Sequence, residues 1–238
     1  MSLQSATTRL NKCLNNDVSI YEIGVDEAGR GPLFGRVYSA AVILPKDDSF
    51  DHSKMKDSKK FHSKKKITEV AEYIKTNAVA WYVSFADEKL IDDINILQAT
   101  QKSMHDCIHE IRKQIKNIKN IDNNIEMKDY TFHLLIDGNY FNPIAVINKN
   151  TNKLENIPYT MIEGGDNKYT AIAAASILAK VERDKYIEEL CKENPELSTK
   201  YGIDSNKGYG AKKHIDGIKE HGITIWHRRS FGICKNYK

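Results

Sequence analysis

Apolar residues along the chain fall into two patterns, short runs of strand length and longer stretches of helical period. YEIGV, residues 21–25, and VYSAAVIL, residues 37–44, are apolar runs joined by a glycine-rich turn, and they read as two strands of a hairpin. VAWYVSF, Val79–Phe85, predicts a third strand. Before it, Ile67, Val70, Ala71 and Ile74 recur at helical spacing, and after it Ile108, Ile111, Ile115 and Ile118 do the same. The second of these helices is predicted to start near Ile96 and to fade in the polar stretch 120–128. TFHLLIDGN, Thr131–Asn139, reads as a core strand ending in an acid and a glycine turn. IPYTMI, Ile157–Ile162, reads as another short strand, followed by EGGD. AIAAASILAKVERDKYIEEL, Ala171–Leu190, predicts a long helix whose small residues allow close seating on a sheet, with Pro195 beyond its end. Ala211, His214, Ile215 and Ile218 predict one more helix, stopped by Gly222. This order predicts an α/β fold, with helices packed around one mixed sheet. The expected organisation is a flexible segment over 1–20, a core over 21–195 and a basic C-terminal extension over 196–238 packed on that core.

Composition narrows the class. The chain has 238 residues, 40% of them hydrophobic and 29% charged, an ordinary globular mixture with room for one large domain. No apolar run of about 18 residues offers a membrane span, and MSLQSATTRLNKCLNND lacks a signal core. Cys13, Cys107, Cys191 and Cys234 lie far apart, which fits reduced thiols in the cytoplasm or another reducing intracellular compartment. The net charge of +4 says less than its distribution. Seven lysines and one acid fall between His52 and Lys66, and eight Lys or Arg residues and two acids between Lys207 and Lys238. Such blocks suit phosphates, although solvated lysines are the plainer reading of either one alone.

Four acids stand out by context. Asp26 and Glu27 follow the first strand, Asp137 ends the LLID strand, and Asp166 follows the Gly164–Gly165 pair. Acids at strand ends of an α/β sheet meet at one edge although distant in sequence. Gathered carboxylates repel and call for protons or a hard cation, Mg²⁺ or Mn²⁺. Two such ions about 4 Å apart would activate a water and stabilise the leaving oxygen of a phosphodiester. Each acid also has a bland reading: Asp137 as a turn former and Asp166 as a helix cap. Strand alternation moreover sends Asp26 and Glu27 to opposite faces unless the strand twists or ends there. The GRG stretch Gly29, Arg30 and Gly31 presents bare backbone and a phosphate-binding fork. GRGPLFG has neither the dinucleotide-binding spacing nor the GK[ST] ending of a P-loop.

The motifs DEAGRGPLFG, KDSKK (Lys56–Lys60), LLIDGN, AAASILAKVERD (Ala173–Asp184), NKGYG (Asn206–Gly210) and HRRSF (His227–Phe231) occur here in the order of ribonuclease HII, and the chain resembles that family from about Tyr21 to Phe231. The resemblance implies a ribonuclease-H-like mixed sheet flanked by helices, with a C-terminal helical extension. It implies an endoribonuclease that cuts RNA in RNA–DNA hybrids and at ribonucleotides embedded in duplex DNA. The family's carboxylate tetrad falls on Asp26, Glu27, Asp137 and Asp166, with Asp26 the expected bridging ligand of a two-metal site. Its glycine–arginine–glycine backbone, which recognises the ribonucleotide 2′-OH, falls on Gly29, Arg30 and Gly31. Its sugar-packing tyrosine falls on Tyr209, which would otherwise read as a partly buried core tyrosine. Lys207 and the HRRSF arginines, Arg228 among them, are expected at phosphates. Lys180 and Arg183 carry charge that would reach phosphate or serve packing. Asp184 and Ser176 are expected to support the site from behind, Asp184 by fixing a basic neighbour.

The expected reaction is in-line hydrolysis on the 5′ side of the ribonucleotide, leaving 3′-OH and 5′-phosphate ends. Nothing in the sequence calls for a protein partner, and a monomer is the default. Phe34, Arg36, Asn206 and Trp226 depart from the common family pattern, and they bear on substrate preference and duplex positioning. Two other readings stand beside this one: another two-metal nuclease, and an inactive nucleic-acid-binding module on the same fold.

Overall fold

A computed structural model of the chain describes residues 9–121, 131–148 and 152–237. Among the described residues the strands are β1 (Ile20–Ala28), β2 (Val37–Ile43), β3 (Ala80–Ala86), β4 (Thr131–Asp137), β5 (Ala145–Asn148), β6 (Lys153–Asn156) and β7 (Tyr159–Ile162). Five of them form one sheet in the order β3-β2-β1-β4-β7. β1, β2 and β3 meander antiparallel, whereas β4 and β7 run parallel to β1. The remaining two, β5 and β6, make a separate hairpin. Its four-residue strands, one of them the fully exposed KLEN, carry no apolar–polar alternation from which a hairpin could be predicted.

Helices cover both faces. On one face, Tyr38, Ala40 and Val42 of β2 pack beneath α1 (Lys64–Asn77) and α3 (Thr170–Glu193). On the other, Ile23, Val25, Leu134 and Ile136 pack against Met104, Ile108, Ile111 and Ile115 of α2 (Glu88–Ile121). Seating of α3 depends on Gly24, where a Cβ would lie 2.2 Å from the Ala171 carbonyl carbon. The run Ala173–Ala175 is fully buried for the same reason, because small side chains let helix and sheet backbones approach.

The structure moves several predicted boundaries. β1 does not stop at Val25. Asp26 and Glu27 remain in the ladder opposite Ala40 and Ser39, because pairing is a backbone property that acidic side chains do not prevent. The helix expected from Ile96 has a shorter predecessor beginning at Glu88, and the two are separated at Asn95, whose φ of 66° is left-handed. Asn95 caps the second segment by accepting from the Gln98 N–H at 3.1 Å. The segment expected to be flexible is tied down over residues 9–20. Asn11 bonds the backbone of Lys168 and Thr170, and the Glu22 carboxylate accepts from the N–H groups of Leu14 and Asn15 at 2.9 and 2.6 Å. Residues 1–8 of that segment and the polar stretch 122–130 lie outside the described residues.

Beyond α3, the chain forms α4 (Glu196–Tyr201), α5 (Ile203–Asn206) and α6 (Lys212–His221). These share one core with the sheet domain. Phe34 and Ile187 pack there with Leu197, Tyr201, Ile203, Ile218 and Cys234.

Candidate active site

The acids gather where β1 and β4 end. These strands are parallel, with Val25 beside Ile136, so Asp26 and Asp137 follow on adjacent positions of one sheet face. β4 stops at Asp137, which leaves Glu27 beyond the end of its neighbour. The alternation that separates Glu27 from Asp26 therefore does not keep it from the same edge: its charge raises the Asp26 carboxyl, and it is itself raised by the charge of Asp137. Asp166 sits on a single 3₁₀ turn, Gly165–Asn167, after β7. That turn is locked to the cluster by the Gly165 N–H, which donates to Asp137 Oδ1 at 2.6 Å.

Electrostatics report the crowding. Burial, then Glu27 and Asp137, push the Asp26 carboxyl well above the usual range, partly offset by the Ser176 hydroxyl and the Glu27 N–H. Burial also raises Glu27, with Arg30 opposing and Asp137 adding. Arg30 Nη1 lies 3.4 Å from Glu27 Oε1. Asp166 is raised by burial and by its neighbours Asp57 and Asp137. Asp57 is shifted the other way. Burial opposes its ionisation, but the Lys59 N–H and the Asn167 amide hold it below the usual range. Above the cluster, Lys59 keeps its ammonium; burial opposes the charge, and the fields of Asp166, Asp57, Asp26 and Asp137 outweigh it.

Asp57, Ser58 and Lys59 are site residues that the sequence reading passed over. Ser58 Oγ lies 3.0 Å from Ser176 Oγ, so it backs the hydroxyl that supports Asp26. Their signal in the sequence is the KDSKK motif, with its one acid in a lysine-dense block.

The donor set fits a hard divalent cation: carboxylate oxygens only, held at a cost in mutual repulsion that a cation would remove. Among the described residues no group of three or more His, Cys, Asp or Glu side chains is already arranged to hold an ion.

Beside the acids, two buried arginines shape the GRG loop. Arg228 is 0% exposed and donates to the carbonyls of Gly35 at 2.7 Å, Arg30 and Pro32 at 2.9 Å each, and Gly29 at 2.6 Å. Burial, with Arg183 adding repulsion, lowers its pKa to about 9. Arg183 is 2% exposed and donates to the carbonyls of Arg36, Phe34 and Lys207. Arg228 was expected at phosphates, and Arg183 either at phosphate or in packing. The structure corrects the phosphate reading of both, because their donors are spent on main chain inside the protein, and it leaves Arg183 in packing. The consequence for the loop is geometric. A trans peptide sets N–H opposite C=O. With the Gly29 and Arg30 carbonyls drawn toward Arg228, the N–H groups of Arg30 and Gly31 face the other way. Gly29 itself has φ of +95°, and a Cβ there would lie 2.1 Å from Arg183 Nε.

Tyr209 is half exposed, and its ring stands beside Gly31, 3.5 Å from where a Cβ would be. Leu33 N–H donates to the Gly208 carbonyl at 2.9 Å, which fastens the two loops together. Lys207 is left-handed, at φ 52°, and reaches Glu188 at 3.4 Å. Lys180 pairs with Asp184 at 2.8 Å, so Asp184 does fix a basic neighbour.

Of the four departures from the family pattern, Phe34 is buried and the other three are partly buried. Phe34 is fully buried against Trp226, with ring centroids 6.4 Å apart, so the two bulky residues fill one core. Arg36 lies between the rings of Phe85 and Tyr186, 4.1 and 4.5 Å from their centroids. Asn206 braces the lysine–glycine–tyrosine turn by accepting from the Gly208 N–H at 2.8 Å.

A family model described as Ribonuclease HII matches residues 23–234. The chain belongs to the ribonuclease HII family. It is 41% identical over 220 residues to the ribonuclease HII of Bacteroides thetaiotaomicron, covering 92% of each protein. Identity to that of Neisseria meningitidis serogroup C is 38%, over 91% of this chain and 95% of the relative. Among solved structures, the ribonuclease H2 of Pyrococcus horikoshii superposes with a TM-score of 0.60 at 21% identity, over 90% of this chain and 95% of that one. The RNase HII of Archaeoglobus fulgidus, solved as a complex with PCNA, gives 0.59 at 24% identity, over 90% and 96%. These likenesses establish the ribonuclease-H-like fold. As a ribonuclease HII, the chain is a metal-dependent endoribonuclease acting on RNA in RNA–DNA hybrids. Among its described residues no helix is long and apolar enough to cross a membrane, and the four cysteines are unpaired.

Proposed function

We propose that this ribonuclease HII also cuts on the 5′ side of a lone ribonucleotide in duplex DNA, leaving 3′-OH and 5′-phosphate ends. The observation that carries this reading is the GRG loop, held by Arg228 with the Arg30 and Gly31 amides turned out beside the half-exposed Tyr209. A 2′-OH is both donor and acceptor, and outward amides meet its oxygen where no side chain intrudes. The Tyr209 ring offers a flat, rigid surface to the neighbouring deoxyribose. Lys207 and Lys59 lie at the rim, where ammonium groups hold phosphates without reading sequence. Arg183 and Arg228 act on substrate only by fixing the main chain that touches it.

Asp26, Glu27, Asp137 and Asp166 are proposed as the residues that would hold two Mg²⁺ or Mn²⁺ ions. When bound, such ions supply an activated water and stabilise charge at the phosphate and the departing 3′ oxygen. Ser176 keeps the Asp26 carboxylate oriented. Asn167 ties Asp57 to Asp166 by donating to both carboxylates, at 3.2 and 3.0 Å. Lys59 brings positive charge to the same edge. The chain is proposed to work as a monomer.

The test uses an end-labelled DNA duplex with one ribonucleotide, beside an all-DNA duplex and a long hybrid, each with Mg²⁺, Mn²⁺ or EDTA. The expected result is a metal-dependent cut on the 5′ side of the ribonucleotide and no cut in all-DNA. Cleavage of the hybrid without that cut would refute junction recognition by the GRG loop and Tyr209.

A further inference from the structure

Behind Tyr209 lies a pair of histidines that the reaction does not use. His214 on α6 and His227 before Arg228 are 0% and 1% exposed. Their Nε2 atoms are 3.1 Å apart. All four ring nitrogens are engaged, and the partners fix the protons. The Thr224 N–H donates to His227 Nδ1 at 2.9 Å, so Nδ1 carries no hydrogen and Nε2 does. His227 Nε2–H then donates to His214 Nε2. His214 must therefore carry its hydrogen on Nδ1, which lies 2.8 Å from the Tyr209 carbonyl and donates to it. The result is a one-way chain, Thr224 to His227 to His214 to Tyr209, with both rings neutral.

The surroundings hold it in that state. Phe34 and Tyr201 stand edge-on to both rings, at centroid distances of 5.1 and 5.2 Å from His227. The titratable neighbours are few. Tyr201, on α4, turns its hydroxyl to the Gly222 carbonyl. His221, on α6, lies on a 6.2 Å centroid contact with Tyr201. Arg228 directs its guanidinium at the loop carbonyls. No carboxylate is among the partners of the four ring nitrogens. A second proton on either ring would set two N–H donors face to face, which breaks the chain.

We propose that His214 and His227 are positioning residues for Tyr209, transmitting the fixed position of the Thr224 turn into the Tyr209 main chain and so setting its ring beside Gly31. This rests on the reading that Tyr209 packs against sugar at the ribonucleotide junction. The Tyr209 carbonyl is the point of action; it accepts from His214 and from the Ala211 N–H at 2.8 Å. Loss of one of two donors lets the turn relax without unfolding it.

The experiment is a double-mutant cycle on the full chain with Mg²⁺, reading kcat and KM on the single-ribonucleotide duplex for His214→Phe, Tyr209→Ala and the pair. His214→Phe is expected to lower kcat about 10-fold, the scale of a small misplacement of a positioning group. In the Tyr209→Ala background the same change should cost less than about 2-fold, since the ring it positions is gone. His214→Asn keeps a donor near the Nδ1 position and should restore most of the loss. Equal losses in both backgrounds, or no rescue by His214→Asn, would overturn the proposal and leave the pair a packing element. If Tyr209→Ala alone leaves cleavage unchanged, the sugar-packing reading fails and the proposal falls with it, visibly apart from the cycle. Should His214→Phe not fold, Thr224→Val removes the hydroxyl 2.9 Å from His227 Nδ1. Its expected loss of a few-fold must likewise vanish without Tyr209, and persistence there overturns the proposal.

Discussion

Asp26 shows how a single residue carries opposed demands. It is 4% exposed and ringed by like charge, so its ionised form destabilises the fold until a cation arrives. Asp26→Asn should therefore raise the melting temperature of the metal-free protein at neutral pH. It should also abolish most of the rise that saturating Mg²⁺ gives the wild type, and reduce cleavage by a factor on the order of 10³. Melting curves with and without Mg²⁺ check this; a variant that melts lower than wild type in EDTA would contradict the crowding. Arg228 is the opposite case, a buried charge with main-chain carbonyls in place of a carboxylate partner. Its five donors in a rigid fork do what a lysine's point charge cannot. The acids themselves were legible as strand-end carboxylates. The inward aim of Arg183 and Arg228 was not, because a basic residue in a basic tail reads the same whether its fork meets phosphate or backbone.

Among the elements, β1 and α3 set the precision of the site. Asp26 lies two residues beyond Gly24, the point where α3 touches the strand. A methyl at Gly24 would fall 2.2 Å from backbone, which cannot yield as a side chain can. Gly24→Ala should cost about 3 kcal/mol in urea unfolding, and cleavage should fall with it because Asp26 shifts relative to Ser176. Unchanged stability would mean that α3 slides freely, contrary to its fully buried alanines. The helix pattern made the small-residue face of α3 plain from sequence. The division of α2 at Asn95 was legible only as a start near Ile96. The preceding turn, where Asp92 accepts from Arg229 and Ser230 at 2.8 and 2.9 Å, had no periodic signal in a segment of seven residues.

At the scale of the molecule, the C-terminal segment is fastened to the core by the GRG loop, the buried arginines and the histidine pair. Burial, then repulsion from His214, lowers the His227 pKa to about 3. The unfolded chain, with histidine near 6.5, binds that proton more readily, so the folded state loses stability as pH falls below about 6.5 and continues to lose it down to about 3. Between pH 7 and pH 5 the loss from this residue is about 2 kcal/mol. Comparison with His227→Gln isolates it. The stability advantage of wild type over the variant should shrink across that interval, and a constant difference would contradict a neutral His227.

By itself the sequence determined the α/β class, the five strands of the main sheet, the long α3 and the four acids. Each rests on local signals: apolar runs, helical period, small residues on one face, and acids at strand ends. The ordered motifs added the family. Tertiary structure alone decided which charges meet. Asp57 and Lys59 join the acids because the turn after β2 folds back over β7's end, a contact between residues more than a hundred positions apart. Arg228 reaches Gly29 across 199 positions, and it is that bond which turns the loop amides outward. Local periodicity records which side of an element is apolar. It holds no record of what another element brings to that side, and in this protein the active-site loop is shaped from there.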